Sequence, residues 1–225
     1  NQRPCGLRRR HFSYTDTLSE ILFKAKPSTI KHMRIYFIRH GETTSDVENR
    51  YGGDYDDHLT ERGISQAQDL AVKLANNRIQ TIFSSSRIRA KETSEILKGV
   101  LNCDAQIVDD LRERNTYGVL TGMEKTEAQN KYPKFVSLVR DYRNTIDGAE
   151  SYDNFLSRVK NAFDQVVKTP YDSIAVVSHG GPIRCIFRDV LKMGELNDLA
   201  DCAIIELEKN DLNFKVVKMD GASFA

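Results

Sequence analysis

The sequence predicts an α/β protein, a three-layer α/β/α sandwich with a mostly parallel central sheet. Three observations carry that expectation. β-like and helix-like patterns alternate from Met33 to the C-terminus, the signature of a sheet covered by helices on both faces. Two runs, residues 33–38 and 173–177, are largely apolar, as strands inside such a sheet must be. The chain of 225 residues has no internal repeat and suits one full-sized domain better than two.

Residues 1–32 read as a basic N-terminal extension, with seven Lys/Arg against two Asp/Glu and Arg8-Arg9-Arg10 in a row. One helix is expected inside it. Thr17-Leu18-Ser19-Glu20 has capping-box spacing, Leu18, Ile21, Leu22 and Ala25 form an apolar side, and Pro27 closes it. Two readings stay open: a processed leader or a poorly ordered stretch ahead of the domain. The functional domain is expected over residues 33–225.

Within it, residues 33–38 are the first strand, followed by a polar loop containing Gly52-Gly53-Asp54. Thr60 caps a helix marked by Ile64, Ala67, Leu70, Ala71 and Leu74 at helical spacing. A short strand at 81–84, a helix over 87–98 and a strand at 106–108 follow. Residues 124–143 have helical character broken at Pro133, which restricts Tyr132 as well. Phe155, Leu156, Val159, Phe163, Val166 and Val167 line one side of an amphipathic helix. Then come a strand at 173–177, a helix over 183–191 and closing strands at 203–207 and 214–217.

Composition narrows the function. No apolar run approaches the length of a membrane span. Beyond residue 32 the chain carries 26 Lys/Arg against 30 Asp/Glu. A mildly acidic body makes a poor nucleic-acid surface, so any anion it binds must be held by a local cluster of cations. Cys5, Cys103, Cys185 and Cys202 have no CxxC spacing and read as reduced thiols in a cytoplasmic setting, or an organellar one if residues 1–32 are a leader. Nothing in the composition specifies an oligomeric state.

In open α/β sheets the ligand crevice lies beyond the carboxyl ends of the strands. His40 and His179 each follow a strand immediately, and each precedes a glycine, Gly41 or Gly180, that allows close backbone approach to a ligand. A single histidine at a strand end is more often structural; two in the same setting point to chemistry. Pro182 suits the first turn of a helix whose N–H groups favour an anion. Arg39 stands at a strand end and Arg89 one turn into the helix that follows another strand, and their planar forks match phosphate oxygens. Cations around an imidazole lower its pKa and keep it a neutral nucleophile.

Other chemistries fit less well. Asp54-Tyr55-Asp56-Asp57-His58 suggests a metal site, but it has neither EF-hand spacing nor an H-E-x-x-H partner and reads as a polar loop. No G-x-S-x-G elbow occurs, and Cys185 falls within an expected helix as a core residue.

Arg39-His40-Gly41-Glu42-Thr43, Ser84-Ser85 with Arg89-Ala90 and Thr93, Leu111-Arg112-Glu113-Arg114, and Ser178-His179-Gly180-Gly181 together resemble the histidine phosphatase (phosphoglycerate mutase-like) superfamily. Arg50-Tyr51-Gly52-Gly53, Leu59-Thr60-Glu61-Arg62-Gly63 and Gly148-Ala149-Glu150-Ser151 support it, and the resemblance extends from Met33 to the C-terminus. It implies a phosphomonoester hydrolase acting on a small phosphorylated metabolite, with no cofactor or metal. His40 would be the phospho-accepting nucleophile, Arg39, Arg89 and His179 would bind the phosphoryl group, and Glu113 would be the general acid and base. Gly180, Asp46, Arg50, Tyr117 and Lys125 would complete the substrate site.

Two departures qualify it. Where the family often has Trp-Asn, this chain has Ser45-Asp46, so the Asp46 carboxylate must turn away, carry a proton or meet a cationic or hydroxylated group. The segment that forms a long lid in mutases is short here, with Arg140 and Arg143 only loosely matched, which favours hydrolysis over mutase transfer. A relative that only docks phosphoproteins would not need His40, Arg39, Arg89, Glu113 and His179 together, whereas a phosphatase acting on a phosphoprotein would, and that alternative stays open beside the small metabolite.

Overall fold

The computed structural model describes residues 32–211 and 213–225; the helix expected near residue 20 lies outside them. The unit containing the described residues runs His32–Ala225. Its elements in order are β1 (His32–Arg39), α1 (Thr44–Val47), α2 (Glu61–Leu74), β2 (Thr81–Ser84), α3 (Ile88–Leu101), β3 (Asp104–Ile107), α4 (Lys125–Lys131), α5 (Pro133–Leu138), α6 (Tyr152–Val166), β4 (Ser173–Ser178), α7 (Gly180–Cys185), β5 (Leu196–Asn210) and β6 (Asn213–Phe224). The strands form one sheet in the order β3-β2-β4-β1-β5-β6. β3, β2, β4 and β1 are mutually parallel, and β5 and β6 close the sheet antiparallel.

Side-chain alternation along the central strands builds two cores. Met33, Ile35 and Phe37 of β1 and Ile174 and Val176 of β4 face α6 and α7, where Phe155, Val159, Phe163 and Ile183 meet them. Tyr36, Ile38, Ala175 and Val177 face the other way, against Leu70, Ala71 and Leu74 of α2 and Ala90 and Leu97 of α3. Phe37 lies between Phe163 and Phe187, with ring centroids 6.2 and 5.5 Å away. Burying each such side chain stabilises the fold by about 1.5–3 kcal/mol, and this is why the central strands hold their register. The three-layer arrangement follows as the sequence predicts.

Boundaries differ in instructive ways. The helix expected from residue 183 starts at Gly180, with His179 as its N-cap, because Pro182 is accommodated in a first turn that needs no N–H there. Its continuation, Ile186–Val190, widens into a π-helical turn. The closing strands extend far beyond 203–207 and 214–217, since residues such as Asn197, Asp198, Lys218 and Asp220 point out from a half-exposed hairpin and hide the strand pattern. β3 begins two residues early, at Asp104, on an exposed edge. The break at Pro133 is a junction between α4 and α5, with the proline at the start of α5.

Candidate active site

The β1–β4 register ends with Arg39 beside Ser178. The next residue of each strand, His40 and His179, therefore emerges side by side, with ring centroids 5.0 Å apart. The two histidines that the sequence placed at separate strand ends share one site.

His40 is oriented from both sides. Its Nδ1 donates to the Gly41 carbonyl at 2.8 Å, which leaves Nε2 with a lone pair. That lone pair accepts the Nε–H of Arg89 at 3.2 Å. Burial first, and then the Arg89 and Arg39 guanidiniums, hold the His40 pKa well below the ordinary 6.5. His179 is fully buried, and the same causes, burial first and Arg89 second, depress its pKa well below 6.5. Its Nε2 is 2.7 Å from Ser85 Oγ. That hydroxyl accepts from the Arg87 amide and so has its own proton to give to Nε2. The remaining proton of His179 then sits on Nδ1, which has no partner among the described residues. A buried donor without an acceptor is costly, and a phosphoryl oxygen would supply one.

The arginines are held by neighbouring loops. Arg89, in the first turn of α3, donates to the carbonyls of Tyr55 and Gly53 at 2.6 and 2.7 Å and pairs with buried Asp57 at 2.7 Å. The acidic loop that suggested a metal site is thus engaged with α3. Asp54 pairs with Arg87, Asp56 accepts the Ile88 amide, Asp57 holds Arg89 and His58 meets Glu92. Arg39 is fixed by β5, donating to Leu199 O at 2.8 Å and facing Asp201 at 3.3 Å. β5 is irregular between Leu199 and Ile204, with Cys202 at φ 53°, and the Cys202 amide caps the His40 carbonyl at 3.2 Å. A bulge of this kind re-aims a strand near a site.

Glu113 reaches the same place from the loop after β3. Its carboxylate accepts the Arg114 amide at 2.7 Å and the Gly181 amide at 3.0 Å. Gly181 has to be glycine, because a Cβ there would sit 2.1 Å from Glu113 Oε1. Two buried arginines fix the loop. Arg158 donates to the carbonyls of Asp110, Arg112 and Glu113 at 2.8, 2.8 and 3.1 Å and forks onto Glu150 at 2.7 and 2.8 Å. Arg114 binds the carbonyls of Tyr142, Asn144 and Glu150.

These groups open onto one cavity of ≈ 470 Å³ whose wall includes Arg39, His40, Asp46, Arg50, Arg89, Glu113, Tyr117, Lys125 and Gly180. His179, fully buried, touches His40 but is not part of that wall. Arg50 donates to Gly122 O and faces Glu48. Tyr117 packs near Tyr51, and burial foremost raises its pKa, keeping the phenol protonated. Asp46 lines the cavity while its Oδ2 accepts both the amide and the hydroxyl of Thr43, at 3.0 and 2.7 Å, in a capping box that starts α1. Arg140 reaches the wall; Arg143 packs on Tyr142 instead.

The sequence reading missed Asp57, Arg114, Glu150 in its clamping role, Arg158 and Arg184. Their roles depend on partners far along the chain. Only the arginine five residues after His179, in the first turns of the same helix, carried a local signal.

Among the described residues no group of three or more His, Cys, Asp or Glu is arranged around a metal position, and no helix is long and apolar enough to cross a membrane. The sequence profile of the histidine phosphatase superfamily (branch 1) matches residues 35–220. A metal-independent phosphoserine phosphatase of Arabidopsis thaliana is 31% identical over 176 residues, 76% of this chain and 74% of that protein. Phosphoglycerate mutase-like protein 4 of the same plant is 32% identical over 164 residues, 70% of this chain and 71% of its own. Among solved structures, a mycobacterial glucosyl-3-phosphoglycerate phosphatase with vanadate shares the fold at TM-score 0.74 and 23% identity, over 85% of this chain and 100% of that one.

Proposed function

The chain belongs to the histidine phosphatase superfamily, and from that premise we propose that it hydrolyses small phosphomonoesters through a phosphohistidine on His40. The observation that carries this reading is the state of His40: a buried, neutral imidazole whose Nδ1 proton is tied to Gly41 O and whose Nε2 lone pair faces the Arg89 guanidinium.

Arg89, Arg39 and the Nδ1–H of His179 receive the phosphoryl oxygens, since phosphoryl transfer depends mainly on positioning and on neutralising the equatorial oxygens. His40 Nε2 attacks phosphorus while the P–O bond to the leaving group breaks, and the Glu113 carboxyl delivers its proton to the departing oxygen. The product alcohol leaves. Glu113, now a carboxylate, takes a proton from water. The hydroxide attacks phosphorus, the N–P bond breaks, inorganic phosphate departs, and His40 and Glu113 regain their starting states. The relatives include a protein named phosphoglycerate mutase-like, but the α4–α5 segment offers little chain to exclude water from a phosphohistidine, and hydrolysis is favoured.

Denaturant quenching during turnover of an aryl phosphate is expected to trap an acid-labile, base-stable phosphoryl group on His40, absent in His40→Ala. Label on a serine or on His179 would overturn the assignment. With 3-phosphoglycerate, phosphate release should exceed isomerisation.

A further inference from the structure

No step of the reaction above uses Asp201, a partly buried acid in the irregular part of β5. Leu199 pairs with Ala222 and Ile204 with Asp220, so residues 200–203 bulge out opposite Gly221 alone. Gly221, at φ 69°, takes a conformation that side chains resist. A Cβ on it would lie 3.3 and 3.5 Å from the Cβ atoms of Ala203 and Ala200. The bulge therefore closes tightly on its own hairpin, and Asp201 meets Arg39 of β1.

The two arginines proposed to receive phosphoryl oxygens are held in different ways. Arg89 has three acceptors in the acidic loop, the carbonyls of Tyr55 and Gly53 and the Asp57 carboxylate. Arg39 depends on β5. Its Nη1 donates to Leu199 O at 2.8 Å, and its Nη2 lies 3.3 Å from Asp201 Oδ1. Among the described residues neither side chain has another ionic partner. Burial foremost raises the Asp201 pKa, with Asp46 and Glu42 adding to it, while Arg39 opposes the rise. An ion pair whose side chains are 25% and 23% exposed returns little stability once desolvation is counted. Its effect lies in direction. With Nη1 and Nη2 engaged by β5, the guanidinium plane is fixed, and its remaining N–H donors are left for phosphoryl oxygens.

We infer that Asp201 is a positioning residue for phosphoryl transfer, aiming the Arg39 guanidinium and acting on the reaction only through it. The inference rests on the hydrolase reading above. A competing route runs through the backbone, because the Cys202 amide, next in the chain, caps the His40 carbonyl at 3.2 Å. By that route the loss of Asp201 would unsettle the nucleophile rather than Arg39. The two routes predict different couplings.

The test is a double-mutant cycle on kcat/KM for p-nitrophenyl phosphate. Asp201→Ala alone is expected to lose roughly ten- to a hundredfold, the scale of a displaced group at a reacting centre. In an Arg39→Gln background no guanidinium is left to aim, and the same change should cost less than about twofold. Asp201→Asn keeps the shape and an oxygen acceptor but not the charge, and should lose several-fold; it takes the place of alanine in the cycle should Asp201→Ala not fold. Losses that multiply in the double variant would put the effect on the bulge and His40 and overturn the assignment. So would full activity in the variant used. Denaturant trapping of phospho-His40 separates this inference from the reading beneath it. A wild-type adduct with multiplying losses removes the role of Asp201 and leaves the hydrolase, whereas no adduct removes both.

Discussion

Arg158 never reaches the cavity wall, yet all of its donors act on the loop that carries Glu113 or on the Glu150 that clamps it. Lysine keeps the charge but cannot fork onto Glu150 while holding three carbonyls. Arg158→Lys is expected to slow an alkyl phosphate about tenfold and an activated aryl phosphate much less, because only the poor leaving group needs the Glu113 proton. Equal losses on both esters would make Arg158 purely structural. The proposed roles of Arg39, His40, Arg89 and His179 were legible because each stands beside a local marker: a strand end, a glycine, a neighbouring arginine; Glu113 came only from the order of the family-like motifs. Arg158 and Asp57 were not legible, since Arg158 is one polar position on an amphipathic helix and Asp57 one acid among several, and the groups they serve arrive from distant segments. Asp46 shows the complementary case. Several roles were open to its carboxylate in the sequence, and in the fold its Oδ2 accepts from Thr43, three residues earlier.

At the scale of elements, α2 packs its first turn directly on the turn that follows His40. Gly63 is the contact point: a Cβ there would lie 2.1 Å from the Glu42 carbonyl oxygen, and one on Gly41 would lie 2.6 Å from the Gly63 carbonyl. Helix propensity alone favours alanine at position 63 by about 1 kcal/mol. The contact reverses the sign, because backbone cannot rotate away as a side chain can. Gly63→Ala should destabilise the protein by about 1–3 kcal/mol, read from the urea midpoint, and reduce activity by displacing His40. A stabilised variant would show that α2 moves freely relative to the turn. The sequence located α2 and its Thr60 cap, since Thr60 accepts the Gly63 amide at 3.0 Å. It could not reveal the closeness of packing, which depends on where two elements meet. For the same reason the β5–β6 hairpin was recognised only in part, over the mostly buried 203–207 of β5 and the alternating 214–217 of β6.

For the whole molecule, two neutral histidines buried among arginines make stability depend on pH. Unfolded, each takes a proton as the pH falls through about 6.5; folded, each resists until well below that value. The unfolded state therefore binds more protons in that window, and stability is present above 6.5 and lost as the pH drops beneath it. The loss approaches about 1.4 kcal/mol per pH unit for each histidine. His58, exposed and paired with Glu92, has a raised pKa and acts in the opposite direction, though in solvent it counts for less. Urea midpoints at pH 7 and pH 5.5 should show a clear fall, larger than in His179→Asn. A midpoint that holds or rises toward pH 5.5 would mean the two rings are protonated in the fold.

The bond from Arg89 to His40 has a further consequence. The lone pair that must attack phosphorus is already occupied, and an anion is what can draw the guanidinium off it. The resting protein therefore carries a safety catch, which a phosphate ester releases and an uncharged electrophile does not. An acylating reagent without a negative charge should modify exposed His58 well before His40, and Arg89→Gln should bring the His40 rate up; rapid acylation of His40 in the intact protein would show the catch to be open.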